Sequence, residues 1–133
     1  MTVPPPRIDW RDLDRAALGE AYNSAAAVAN CSAITASWEP RSAAMRQRPD
    51  AKLDLAYGPR PRNRIDFITC GAPRASTLVF VHGGYWQMRA KESFAFVAAG
   101  PLAIGMNVAL VGYTLERDEV KSNRFGIPKS GRF

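Results

Sequence analysis

Thr77-Leu78-Val79-Phe80-Val81-His82-Gly83-Gly84-Tyr85-Trp86 is an apolar run that breaks abruptly into one histidine, two glycines and two aromatics. From Leu78 to Val81 no polar residue alternates with the apolar ones. That continuous pattern belongs to a parallel strand covered on both faces. The strand ends in a Gly-Gly pair, which lets the backbone come close to a bound molecule and adopt positive φ where needed.

Working outward, Glu92, Ser93, Phe94, Phe96, Val97, Ala98 and Ala99 follow a helical period, with Gly100-Pro101 at its end or at a break. Asn107-Val108-Ala109-Leu110-Val111-Gly112-Tyr113 is a second apolar run bounded by turn residues. Residues 77 to 113 therefore read as a β-α-β unit with parallel strands. Upstream, Lys52 to Tyr57 and Asn63 to Thr69 are strand candidates around Gly58-Pro59-Arg60-Pro61, which predicts a hairpin. Arg60, Arg62 and Arg64 alternate along it and read as one solvated face. Before the hairpin, Asp9 or Asp12 is expected to cap a helix from Leu13 to Tyr22. Ala25 to Ala29 is again helix-forming. Asn30 or Ser32 is expected to cap a second helix carrying Ile34, Trp38 and Met45, and Pro40 predicts that this helix is kinked or split in two. Trp38, Phe94 and Phe96 are expected in the core. Residues 1–8, with Pro4 to Pro6, read as a flexible lead-in, and 116–133 as an irregular or disordered basic tail.

A chain of 133 residues with 47% hydrophobic composition fits one globular domain, read here as residues 9–115. Its formal charge of +6 is concentrated in two places. Eight basic residues stand against three acidic ones from Arg41 to Arg74, and five against two from Arg117 onward. Neither cluster interleaves aromatic and basic side chains as single-strand nucleic-acid binding requires, so a solvated basic surface is expected and no nucleic-acid partner. Cys31 and Cys70 form no metal-ligand spacing, and with one histidine no metal site or cofactor is expected; the two thiols read as free, buried and inert. No signal core and no membrane-length apolar run is present, so no membrane partner and a cytoplasmic location are expected.

Tyr22-Asn23, Leu53-Asp54-Leu55-Ala56-Tyr57-Gly58, Ile65-Asp66-Phe67, Val81-His82-Gly83-Gly84-Tyr85-Trp86 and Val108-Ala109-Leu110-Val111-Gly112-Tyr113-Thr114 follow one another in an order that resembles α/β-hydrolases similar to bacterial kynurenine formamidases (arylformamidases) and their carboxylesterase relatives. The resemblance spans about residues 10 to 115. It implies an α/β fold with about four strands in the order 1-2-4-3, preceded by N-terminal helices. It also implies that Gly83, Gly84 and the N–H of Tyr85 donate to the oxyanion formed when a carbonyl is attacked. On the same basis His82 orders the loop, while Tyr85 and Trp86 wall a pocket for a small-molecule ester or formamide substrate.

The catalytic residues of such enzymes are not found. There is no Gly-x-Ser-x-Gly elbow, and His82, committed to the loop, is the only histidine. The chain is therefore expected to be the N-terminal part of a hydrolase, an incomplete α/β-hydrolase fold produced by a premature stop, a frameshift or a gene-model error, with a short paralogue as the other reading. The third strand would then be an edge open to self-association. The alternatives are a non-catalytic interaction module using that edge or the basic tail, and a nonfunctional fragment.

Overall fold

A computed structural model describes residues 9–116 and 118; the expected lead-in and nearly all of the expected tail lie outside the described residues. The chain divides into two compact units, one up to Ala36 and one from Ser37 onward. In the first, the Asp9 carboxylate caps a short 3₁₀ helix, Trp10–Asp12, and Asp14 caps α1, Arg15–Ala21, by accepting the Ala17 N–H at 2.8 Å. The cap of α1 is thus Asp14 and not Asp9 or Asp12, because Asp9 caps the 3₁₀ helix before it and Asp12 lies within that helix. Ala25 to Ala29 form turns instead of a helix. The Asn23 side chain accepts from Ala26 N–H at 3.2 Å, a local bond that competes with helix formation where no apolar stripe is there to be buried.

The helix α2, Cys31–Arg46, runs through Pro40 as a single element, neither split nor ended there. Tertiary bonds hold its last turns. Ser42 Oγ donates to Ser93 O and accepts from Phe96 N–H, both at 3.1 Å, and Met45 packs on the core. Those contacts offset the backbone bond that proline cannot make.

Four strands follow: β1 (Ala51–Ala56), β2 (Arg64–Ile68), β3 (Thr77–Val81) and β4 (Asn107–Val111), in the order β1-β2-β4-β3. The hairpin β1-β2 is antiparallel, β2 and β4 are antiparallel, and β3 and β4 are parallel. This is the α/β sheet that the sequence predicts. Between β3 and β4 the chain forms a 3₁₀ helix, Lys91–Ala98, that continues into α3, Ala99–Ala103, with Gly100-Pro101 in the first turn of α3, where proline is tolerated.

Register explains the core. Leu78 and Phe80 of β3 lie beside Val108 and Leu110 of β4, which lie beside Ile68 and Asp66 of β2. Ile68, Val108 and Leu110 bury fully against Ala95 and Ala98, with Phe80, Val97 and Leu102 around them. Trp38, Phe94 and Phe96, expected in the core, are only half-buried and form an aromatic group outside that cluster, with Trp38 5.5 Å from Phe94 and 5.3 Å from Phe96. The opposite face of β3 differs from expectation. Val79 and Val81 are 61% and 59% exposed, so β3 is not covered on both faces. Among the described residues β3 pairs only with β4 and is an edge of the sheet. Cys31 and Cys70 are free but half-buried, less enclosed than the buried thiols expected.

Candidate functional site

The loop 82–90 leaves the C-terminal end of β3, where the parallel register Val81↔Val111 sets it beside residues just past β4. His82 is buried, with its ring stacked between Tyr113, at a centroid distance of 4.4 Å, and Phe94 at 5.8 Å. Its Nδ1 lies 2.8 Å from Gly83 O. A carbonyl only accepts, so in this bond Nδ1 carries a proton and donates it. Nε2 is buried without a hydrogen-bond partner among the described residues. The Tyr113 hydroxyl donates to His82 O at 2.7 Å.

These bonds orient one peptide. With Gly83 C=O held by the imidazole, the N–H of Gly84 in the same trans peptide plane points the opposite way. Among the described residues neither the Gly83 N–H nor the Gly84 N–H makes a hydrogen bond. Gly84 has φ +126°, and a Cβ there would lie 2.3 Å from Met88 O. No other residue fits this position. The chain then turns back on itself, with Gln87 N–H and Met88 N–H both donating to Gly84 O, and with Tyr85 and Trp86 at φ 54° and 56°. Two consecutive aromatic residues in the left-handed region cost on the order of 1–2 kcal/mol each.

That strain persists because the loop is tied at both ends. Glu116 N–H donates to Trp86 O at 2.9 Å, and Arg62 Nη2 to Arg89 O at 2.6 Å. The side chains of Tyr85 and Trp86 stand out in solvent, 60% and 71% exposed. Arg62 and Arg64 do not form a solvated strand face. Arg62 Nε also donates to Tyr113 O, and Arg64 Nη1 to the carbonyls of Gly58, Arg60 and Asn63. Guanidinium groups with several donors suit this fastening of backbone carbonyls.

The loop runs directly into an ionic cluster that the sequence reading missed. Lys91 Nζ lies 2.7 Å from each of Asp54 Oδ1, Asp66 Oδ1 and Glu92 Oε1. Arg46 Nε reaches Asp66 Oδ2 at 2.9 Å, and Arg46 Nη2 lies 3.6 Å from Asp54 Oδ2. Asp66 and Lys91 are buried, while Asp54 and Glu92 reach solvent. Asp54 occupies a bulge in β1 at φ 55°, which turns its N–H onto Asp66 Oδ1 at 2.9 Å. Burial pushes the Lys91 pKa down, but its bonds to Asp54, Asp66 and Glu92 outweigh that and hold it above the usual lysine range. The same ammonium, through its hydrogen bond, holds the Asp54 carboxyl below the usual carboxylate range. Beside the cluster lies an open cavity of about 120 Å³ with Asp54, Arg62, Arg64, Lys91 and Gly112 in its lining.

Two signals for these residues are present in the sequence. Asp66 falls on the core side of β2 by simple alternation with Ile68, so it needs a buried cation. Tyr113 follows from the parallel pairing, which brings the residues after Val111 beside those after Val81. Among the described residues no group of His, Cys, Asp and Glu side chains could hold a metal ion, and no helix is long and apolar enough to cross a membrane.

The mixed α/β sheet and its strand order are those of an α/β-hydrolase-like chain, and two comparisons with known proteins agree. Over 65 residues, 47% of the chain, it is 29% identical to the kynurenine formamidase of Danio rerio, covering 22% of that protein. A crystal structure of a candidate thioesterase from Silicibacter sp. superposes on 72% of the chain and 37% of its own, with a TM-score of 0.68 and 31% identity. The chain thus spans well under half the length of either relative. No protein-family model matches it.

Proposed function

We propose that these residues are the oxyanion-loop portion of a serine hydrolase of formamide or carboxylic ester bonds, and that the 133-residue chain is not itself catalytically competent. The observation that carries this reading is the Gly83-Gly84 peptide. His82 holds its carbonyl, which turns the Gly84 N–H away from the loop's own bonds, at a position where only glycine fits. A donor fixed before reaction stabilises the negative oxygen of a tetrahedral intermediate without reorganising, and such a donor contributes about 3 kcal/mol. Gly83, Gly84 and Tyr85 are the donors in this reading, and His82 is the positioning residue. Tyr85 and Trp86, exposed at the loop's turn, flank the acyl or aryl group. Formamide, ester and thioester cleavage all pass through such an oxyanion, so the formamidase and thioesterase likenesses support one chemistry.

The nucleophile, acid and base are not among these residues: the sequence holds no Gly-x-Ser-x-Gly and no histidine besides His82. Two measurements test the reading. Residues 82–90 grafted in place of the matching loop of a complete formamidase should retain turnover, and Gly84→Ala in the graft should lower kcat about 10²-fold or more; an active graft indifferent to Gly84→Ala would reject the oxyanion role. The chain alone should neither hydrolyse para-nitrophenyl esters or N-formylkynurenine nor react with a fluorophosphonate probe. Labelling would reject its incompetence.

A further inference from the structure

We propose that Arg62, in the turn of the β1-β2 hairpin, is a positioning residue that sets the Gly83-Gly84 peptide through Tyr113 and Arg89. The inference rests on the hydrolase reading only for what the oriented Gly84 N–H serves. Arg62 reaches the loop by two routes. Its Nη2 donates to Arg89 O at 2.6 Å, at the loop's far end. Its Nε donates to Tyr113 O at 3.1 Å. From there the Tyr113 hydroxyl donates to His82 O at 2.7 Å, and His82 Nδ1 donates to Gly83 O at 2.8 Å. One guanidinium thus closes a ring of bonds around residues 82–89. The bond to Arg89 O also holds a strained residue, since Arg89 stands at φ 77°, in the left-handed region with Tyr85 and Trp86. A planar fork with donors at fixed angles can span two carbonyls in this way, and a single ammonium cannot.

The base from which Arg62 reaches is stiff. Pro59 and Pro61 fix φ at two positions of the turn. Arg64 Nη1 donates to the carbonyls of Gly58, Arg60 and Asn63, and Asn63 N–H returns to Arg60 O at 3.0 Å. The hairpin is also pressed onto the segment that carries Tyr113. Gly112 N–H donates to Arg64 O at 2.8 Å, and the Tyr57 hydroxyl donates to Gly112 O at 2.6 Å. A Cβ on Gly112 would lie 2.8 Å from Arg62 O, so glycine lets the two backbones come this close. Asp118 Oδ2, 3.7 Å from Arg62 Nε, supplies a counter-charge to the half-buried guanidinium.

NMR of the isotope-labelled 133-residue chain tests this. Arg62→Lys keeps the charge and removes the fork. Solvent exchange of the His82 Nδ1 proton and of the Gln87 and Met88 amides should then rise about tenfold, while the Asn107–Val111 amides and the circular dichroism spectrum stay unchanged. Arg62→Ala should loosen the same protons, and added methylguanidinium should reverse the effect where methylammonium does not. Arg48→Lys, which alters the pair with Asp50 that precedes β1, should change none of them. Exchange in Arg62→Lys equal to that of the unaltered chain, loosening shared equally with β4, or equal effects of the two cations would each overturn the proposal. Should Arg62→Ala fail to fold, Arg62→Lys decides alone. The two readings fail separately. A loop graft indifferent to Gly84→Ala removes the oxyanion role, whereas unchanged exchange in Arg62→Lys removes the positioning by Arg62.

Discussion

Lys91 Nζ and Asp66 Oδ1 meet at 2.7 Å with both side chains buried, and they join the end of the His82–Ala90 loop to the middle of β2. Asp66 also receives Arg46 and the Asp54 N–H. One carboxylate therefore collects a helix, a bulge and the entry to the Lys91–Ala98 helix.

Removing the ammonium leaves Asp66 buried with one cation where it had two. Lys91→Met should lower unfolding stability by about 3 kcal/mol in urea titration, the cost of breaking a buried ion pair from one side. The same change in an Asp66→Asn background should cost clearly less, because the carboxylate it would strand is gone. Equal losses in both backgrounds would mean that Lys91 acts through packing of its stem alone.

The cluster also sets a pH window. The Asp54 carboxyl is held below the usual range, so its contribution is present at neutral pH and is lost as pH falls through its folded value. Lys91 is held above the usual range, so its contribution is present below the ordinary lysine value and is lost as pH rises through the folded one. The urea midpoint should be flat between about pH 5 and 9 and fall on both sides. In Lys91→Met the alkaline fall should shrink and the acid fall should become shallower.

At Gly84 a methyl group meets Met88 O at 2.3 Å and φ is +126°. Gly84→Ala should cost about 2 kcal/mol and open the 84–88 turn, seen as faster hydrogen exchange at Gln87 and Met88, whose N–H groups bond Gly84 O. Gly83→Ala, with no atom within 4 Å of the added Cβ, should be nearly neutral for stability.

The Tyr113 hydroxyl holds the loop from the far side of the sheet end, 2.7 Å from His82 O. Tyr113→Phe keeps the ring stacked on His82 and removes the hydroxyl's bond to His82 O together with its longer contact, 3.4 Å, to Nδ1, so the expected loss is about 1 kcal/mol. The imidazole resonances of His82 should shift in NMR spectra while the β4 amides stay in place. An unchanged imidazole would show that stacking alone positions the ring.

Much of the sheet is legible in local pattern. The continuous run Leu78–Val81, the second run Asn107–Val111 and the turn residues between Lys52 and Thr69 identify the strands; the order β1-β2-β4-β3 is implied by the resemblance to α/β-hydrolases and not by local pattern. The helices are less so: Ala25 to Ala29 has high propensity and forms turns, and Pro40 sits inside one helix. Propensity counts a residue's neighbours along the chain, whereas Ser42 and Met45 keep α2 helical through contacts with residues some fifty positions away or on the sheet.

The site divides along the same line. By itself the sequence determined where the glycine loop lies, because the need for glycine at Gly84 is a property of one backbone position. Only the tertiary structure decided how the loop is held. Lys91, Asp54, Asp66 and Arg46 are spread over 46 positions in the sequence, and no local period relates them. They become one cluster because a buried carboxylate on β2 draws in every cation and N–H within reach, and that demand exists only once the strands have paired.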